Sequence, residues 1–210
     1  MTHPSRETLW SYAAGKTDVT KRLLVEAHLA LCPGCLARVA EDQRAGEQLP
    51  EAALHDELGL PSFETVWRAL ERATAQGCSR DTAALPPALL AALPPPSGWR
   101  WVVLWPQRVK LALLIRDADT GGELYLTHFS PGSTFPRHRH LGLEENVILA
   151  GGYQSGDLRA DAGDWVIGAP GSEEMPRTES DEECWCLSRI ESPGVRFTGW
   201  RRCFAPLFSR

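Results

Sequence analysis

Long apolar runs are missing from this chain. None approaches the roughly 18 residues needed to cross a bilayer, and the opening Met1-Thr2-His3-Pro4-Ser5 has no basic stretch leading into an apolar one. No membrane association is expected, and a soluble, cytoplasmic protein is. Positive charge is also short, with 22 Lys and Arg against 27 Asp and Glu, a formal net charge of −5. Residues 1–75 alone hold 8 basic against 11 acidic side chains. A nucleic-acid binder needs a basic face, so direct nucleic-acid contact and zinc-finger DNA reading are set aside. An acidic module is better suited to a basic protein. Six cysteines are too few and too scattered for a secreted disulfide framework, and a reducing compartment fits them better.

What is present is concentrated in one stretch, His28-Leu29-Ala30-Leu31-Cys32-Pro33-Gly34-Cys35. Residues four apart on a helix lie one above the other, so His28 and Cys32 share a face. Pro33-Gly34 is expected to break the helix and turn Cys35 back toward Cys32, giving two thiolates and one imidazole the bite of a tetrahedral ion such as zinc. His3 is the nearest candidate for a fourth ligand. The alternative is a pair of small core cysteines beside a capping histidine.

Around that stretch the spacing predicts helices. Ser5 caps a first helix through Ala14, with Leu9, Trp10 and Ala13 on one face and Gly15 as its stop. Thr17 or Asp18 caps a second, in which Val19, Leu23, Ala27 and Leu31 recur at i+4. Leu36, Val39 and Ala40 begin a third that fades near Leu49-Pro50. Ser62 opens a fourth, with Phe63, Val66, Trp67, Leu70 and Ala73 as its stripe. That stripe either packs on the first three helices or is offered to a partner, through Phe63, Val66 and Leu70 above all.

Residues 76–98 are rich in Pro-Pro clusters and read as a partly stiff linker between two domains, 1–75 and 99–210. Beyond it the pattern is short strands: Trp101 to Leu104, Val109 to Ile115, Glu123 to Phe129, Glu145 to Leu149, Asp164 to Ile167 and Cys184 to Ile190. Such spacing predicts a sandwich or barrel. The fold class expected is multidomain α + β.

Within the strands, His138 and His140 lie two apart on extended chain, so both imidazoles face one side, and Glu144 can reach the same point. Two histidines and a carboxylate suit a first-row metal. Residues 132–151, Gly132-x5-His138-x-His140-x3-Glu144-x6-Gly151, resemble the first motif of the cupin family. The second cupin motif ends Pro-x-Gly-x2-His, whereas Pro170-Gly171-Ser172-Glu173-Glu174 places Glu174 where the histidine would be. A metal-free cupin scaffold is the alternative. Cys184 and Cys186 share a strand face and are read as core packing residues, with an oxidation sensor as the alternative; His55 and His128 carry no motif and are read as surface or packing residues.

Taken together, the two halves resemble ChrR-type anti-sigma factors, in which a zinc-binding helical domain precedes a cupin β-barrel. The resemblance implies zinc at His3, His28, Cys32 and Cys35, and a second divalent metal, zinc again, at His138, His140, Glu144 and Glu174. It implies that the helical domain, with Phe63, Val66, Trp67 and Leu70 at the interface, sequesters an extracytoplasmic-function-type sigma factor. It further implies that the cupin senses singlet oxygen or organic peroxide and that no catalysis is involved. A metal-dependent cupin dioxygenase or isomerase with an N-terminal zinc interaction module is the alternative.

Overall fold

The computed structural model describes residues 1–47, 90, 93, 95–104 and 106–198. The expected fourth helix, with Phe63, Val66, Trp67 and Leu70, falls outside the described residues, as do most of the Pro-rich stretch, His55, Cys78 and Cys203. Among the described residues no helix is long and apolar enough to cross a membrane.

Three helices open the chain. Ser5 caps α1 (Arg6–Ala13), its hydroxyl accepting the Thr8 amide at 3.1 Å. Asp18 caps α2 (Val19–Leu31) and accepts the Lys21 amide at 2.9 Å. Two expectations need correction. Trp10 is not on the buried face of α1 but is 52% exposed, with the Lys16 ammonium 5.6 Å from its ring. It is rotated about 100° from Leu9, past the edge of a narrow stripe. Nor do Pro33 and Gly34 form a turn between helices. They are the first residues of α3 (Pro33–Glu47), and Cys32, extended at φ −124° and ψ 93°, is the whole junction. Proline is excluded from helix interiors but suits the first helical position, where its missing N–H costs nothing.

The rest is antiparallel strand: β1 (Trp101–Leu104), β2 (Val109–Arg116), β3 (Glu123–Phe129), β4 (His138–His140), β5 (Glu144–Ser155), β6 (Leu158–Asp161), β7 (Trp165–Gly168), β8 (Glu173–Glu174), β9 (Cys184–Ile190) and β10 (Val195–Phe197). The larger sheet runs β1-β2-β3-β9-β5-β6 with β7 also on β5, and a smaller one runs β10-β4-β8. All six expected strands are present. Of the four not expected, β4, β8 and β10 have two or three residues, too short for alternation to register, and β6 has four. The strand expected to end at Leu149 continues to Ser155 through a bulge between Ile148 and Ala150. Gly151 makes that kink possible: its φ is +64°, and a Cβ there would lie 1.8 Å from the Glu183 carbonyl oxygen.

Every residue of β9 is buried, because both faces of the sheet are covered. Inward, Cys184, Cys186 and Ile190 join Tyr125, Phe129, Ile148 and Tyr153 in the barrel core. Outward, Trp185 and Leu187 join Val147, Leu149 and Trp165 beneath Leu23, Leu24, Val25 and Leu29 of the helices. Fully burying each such leucine contributes about 1.5–3 kcal/mol. The helical and β portions therefore share one apolar layer.

A charged clasp fixes α2 on that layer. The buried Arg189 donates from Nη2 to Asp18 at 2.8 Å, from Nη1 to Glu191 at 2.7 Å and from Nε to the Thr20 hydroxyl at 3.1 Å, with Glu145 3.4 Å from Nη1. Lys21 donates to Glu145 as well. Burial would raise the Asp18 pKa, but the Thr20 hydroxyl, the Lys21 amide and Arg189 outweigh it and hold the carboxyl below its ordinary value. A depressed carboxylate stabilises the fold above its unfolded pKa and loses that contribution as pH falls. R189M is expected to cost about 3 kcal/mol by stranding Asp18. In urea melts the deficit should shrink below pH 4; a deficit that does not change with acid would mean that Arg189 acts by packing alone.

Two candidate metal centres

The first cluster forms where α2 ends and α3 begins. Cys32 closes α2, Cys35 lies in the first turn of α3, and His28 points from the last turn of α2 to the same spot. His28 Nε2 is 3.4 Å from Cys35 Sγ, and His3 Nδ1 is 3.6 Å from Cys32 Sγ and 3.5 Å from Cys35 Sγ. A tetrahedron with zinc-like bonds of about 2.3 Å to sulfur and 2.0 Å to nitrogen has N···S edges of about 3.5 Å. The donor set therefore fits such an ion. Burial pushes the His28 pKa down to about 4, with His3 adding to the effect, so the imidazole is neutral and free to donate its lone pair. Burial and the neighbouring Cys32 push the Cys35 thiol up to about 11.

His3 is placed from outside the helices. Thr2 lies along β7: the Trp165 amide donates to the Thr2 carbonyl at 3.1 Å, and the Thr2 hydroxyl donates to the Trp165 carbonyl at 2.8 Å. The Thr2 amide donates to Asp164. Trp165 also meets the His28 ring edge-on, with centroids 5.9 Å apart. The Gly163 backbone faces the His28 imidazole, yet His28 Nδ1 meets no partner at hydrogen-bond geometry. The first cluster thus rests on the barrel. Sequence reasoning found the four donors but not Thr2, Asp164 or Trp165, which carry no motif.

The second cluster lies between the two sheets. His138 and His140 project inward from β4, and β8 pairs beside it with Glu174 in register with His138. Glu144 opens β5. The two Nε2 atoms are 3.2 Å apart. Glu174 Oε1 lies 3.3 Å from His138 and 3.4 Å from His140, and Glu144 Oε2 3.3 Å from His140. A divalent ion with bonds near 2.1 Å needs donor separations between about 3.0 and 3.4 Å, so these residues fit one also. All four donors lie within 4.8 Å of one another, as do those of the first cluster.

Both imidazoles are oriented from behind. His138 Nδ1 is 3.0 Å from the Pro136 carbonyl, and His140 Nδ1 is 2.9 Å from Ser172 Oγ. The Ser172 hydroxyl donates to the Ala169 carbonyl at 2.7 Å, so its oxygen accepts from His140 Nδ1–H and leaves the Nε2 lone pair to the cluster. Glu144 is held by Asn146 at 3.1 Å, and Ser188 donates to Asn146. Burial disfavours the His140 imidazolium, but Glu144 and Glu174 outweigh it and push its pKa up to about 9. Burial would raise Glu174, but His138 and His140 bring it down to about 2. A cation entering here replaces a proton among carboxylates.

The space beside this cluster is small. A cavity of about 40 Å³ is lined by Phe135, Tyr125, Tyr153, Cys186 and, from the cluster, His138, Glu144 and Glu174. That is room for a few water molecules, below the several hundred Å³ of a small-molecule pocket. Cys184 and Cys186 are both buried in the barrel. The Cys186 pKa is pushed up to about 12, first by burial, so this thiol stays protonated. His128, read as a surface or packing residue, lies against Trp185 with ring centroids 4.2 Å apart and is bonded to Glu183 at 3.0 Å. The residues that sequence reasoning missed are Ser172, Asn146 and Ser188; Asn146 and Ser172 lie within the two motif segments, at positions the motifs leave unspecified, and Ser188 lies in neither.

Three helices bearing a two-histidine, two-cysteine cluster, followed by a barrel bearing a two-histidine, two-carboxylate cluster, define a cupin with an N-terminal helical metal-site module. The sequence profile of the ChrR cupin-like domain matches residues 95–191. The chain is 31% identical to the anti-sigma-E factor ChrR of Cereibacter sphaeroides, over 94% of this chain and 92% of that protein. It is also similar to a chain in the crystal structure of Rhodobacter sphaeroides SigE in complex with the anti-sigma ChrR. There the identity is 26%, the coverage 91% of this chain and 99% of that one, and the TM-score 0.67. The chain belongs to the ChrR family of anti-sigma factors. That family is regulatory rather than enzymatic, which removes the dioxygenase or isomerase alternative.

S172A is expected to weaken metal binding at the second cluster about 10- to 100-fold by freeing the His140 ring. Competition with a fluorescent chelator measures this, and unchanged affinity would show that packing alone orients His140.

Proposed function

We propose that this chain binds an extracytoplasmic-function-type sigma factor, keeps it from core RNA polymerase in the cytoplasm, and releases it on an oxidative signal. The observation that carries this reading is the match to the anti-sigma-E factor ChrR over 94% of the chain, both halves included. In this reading residues 1–75 form the sigma-binding unit, 76–98 the connection and 99–210 the sensing unit. The partner surface is the acidic helical module with Phe63, Val66, Trp67 and Leu70. Sequestration requires no reacting group, only a surface that covers what sigma presents to DNA and polymerase.

The two-sulfur, two-nitrogen donor set at His3, His28, Cys32 and Cys35 suits Zn2+, which would cross-link the end of α2, the start of α3 and the N-terminus. For the second cluster we propose a divalent ion as well, Zn2+ being the first candidate; its second carboxylate makes the site harder than a three-histidine set. Its role in this reading is to set the shape of the barrel. In this reading the oxidant, singlet oxygen or an organic peroxide, acts at the small cavity beside the second cluster. Oxidisable His138, Tyr153 and Cys186 line it.

The test is capture of the sigma factor encoded beside this gene by the full-length, zinc-loaded chain. A 1:1 complex is expected. C35S should abolish both capture and metal at the first cluster, and a folded C35S chain that still captures sigma would remove the zinc-dependent mechanism. L70D is expected to weaken capture at least tenfold, the loss of about one buried apolar contact, with metal content unchanged. Loss of metal as well would assign Leu70 to the core.

A further inference from the structure

One continuous run of chain touches both clusters. At its start, Asp164 and Trp165 hold Thr2, and Trp165 packs on His28. Three residues on, Gly168 ends β7 directly against His140: a Cβ there would lie 2.3 Å from His140 Cε1. Gly168 is also the register partner of Glu144. The run then wraps His140. The Gly171 amide donates to the His140 carbonyl at 2.8 Å, the His140 amide to the Ser172 carbonyl at 3.0 Å, and Ser172 Oγ meets His140 Nδ1. It ends at Glu174, a member of the cluster itself. At about 3.3 Å per residue, β7 carries the chain from one cluster to the other in roughly 10 Å.

We propose that residues 164–174 act as a mechanical ribbon that couples the occupancy of the second cluster to the integrity of the first. The ribbon is held unequally. Its β7 end has four register pairs with β5, whereas β8 has two with β4. The Glu174 end thus has fewer strand pairs than the β7 end, and the contacts of its carboxylate with His138 and His140 add to them. When the second cluster loses its ion, Glu174 and His140 lose their common partner, and Ser172 and Gly168 follow the His140 ring. The shift reaches Trp165, where the Thr2 ladder places His3. Coupling of this kind is a difference in free energy between two arrangements, and it is reciprocal: an intact first cluster also favours an occupied second one. For its purpose the inference rests on the anti-sigma reading, since the ribbon then carries the oxidative signal to the sigma-binding helices.

The experiment compares full-length zinc-loaded wild type with H138A, which empties the second cluster from β4 without altering the ribbon. Amide exchange at Trp165 and alkylation of Cys32 and Cys35 should both rise about tenfold in H138A, while amides of β2 and β3 keep their rates. A single glycine inserted between Ala169 and Pro170 should abolish that difference while each chain still takes up two metal ions. Should H138A fail to fold, wild type stripped to one metal per chain gives the same comparison. Unchanged exchange with the second cluster empty overturns the proposal, and so does a difference that survives the insertion. Neither readout involves sigma: coupling without sigma capture would refute the anti-sigma reading alone, and capture without coupling the ribbon alone.

Discussion

Helix α2 cannot keep water from its surface with α1 and α3 alone. Leu23, Leu24, Val25, Ala27, His28 and Leu29 are all buried, and these positions run most of the way round the helix. One side is covered by the other helices and the other by the outward face of β5 and β9. A helix apolar on this scale is a core element, and its partner is a sheet more than a hundred residues away. That docking is the constraint on which the rest depends. It brings His28 to Trp165, Asp18 to Arg189 and the N-terminus to β7, so the first cluster is completed by residues that the barrel positions.

The same docking explains a sheet with charge on it. Glu145 and Arg189 are buried on the outer face of strands whose inner faces carry Glu144 and Ser188. Alternation along a strand makes such neighbours inevitable: each residue that serves the second cluster has a chain neighbour that serves α2. Burying charges there is tolerable because Arg189, Asp18, Glu145 and Lys21 satisfy one another. Two functional layers, an ionic clasp outside and a candidate metal centre inside, are thus built on one pair of strands.

The two clusters differ in chemistry as their surroundings do. The first offers two thiols and two imidazoles at the junction of short helices, where a cross-link substitutes for core. The second offers two imidazoles and two carboxylates inside the barrel, beside a cavity of about 40 Å³. Glu174 in place of a histidine leaves the geometry of the site intact, because its register with His138 is set by backbone pairing and not by the side chain. What it changes is charge.

From sequence alone came the parts governed by local rules. The caps at Ser5 and Asp18, six of the ten strands, and His28, Cys32, Cys35, His138, His140 and Glu144 as candidate ligands came from capping, alternation and ligand spacing, which act over a few residues; Glu174 came from the resemblance to cupins, and His3 as the nearest spare histidine. Local rules also misled where two readings compete: Pro33-Gly34 reads as a break but starts a helix, and Trp10 reads as core but faces water. Tertiary structure alone decided that His3 reaches Cys32 and Cys35, that α2 lies on β5 and β9, and that Asp164 to Glu174 spans both clusters. Those outcomes depend on pairings between residues up to about 170 positions apart, such as Asp18 with Arg189. No local spacing encodes them, because they arise only when distant apolar faces are buried together.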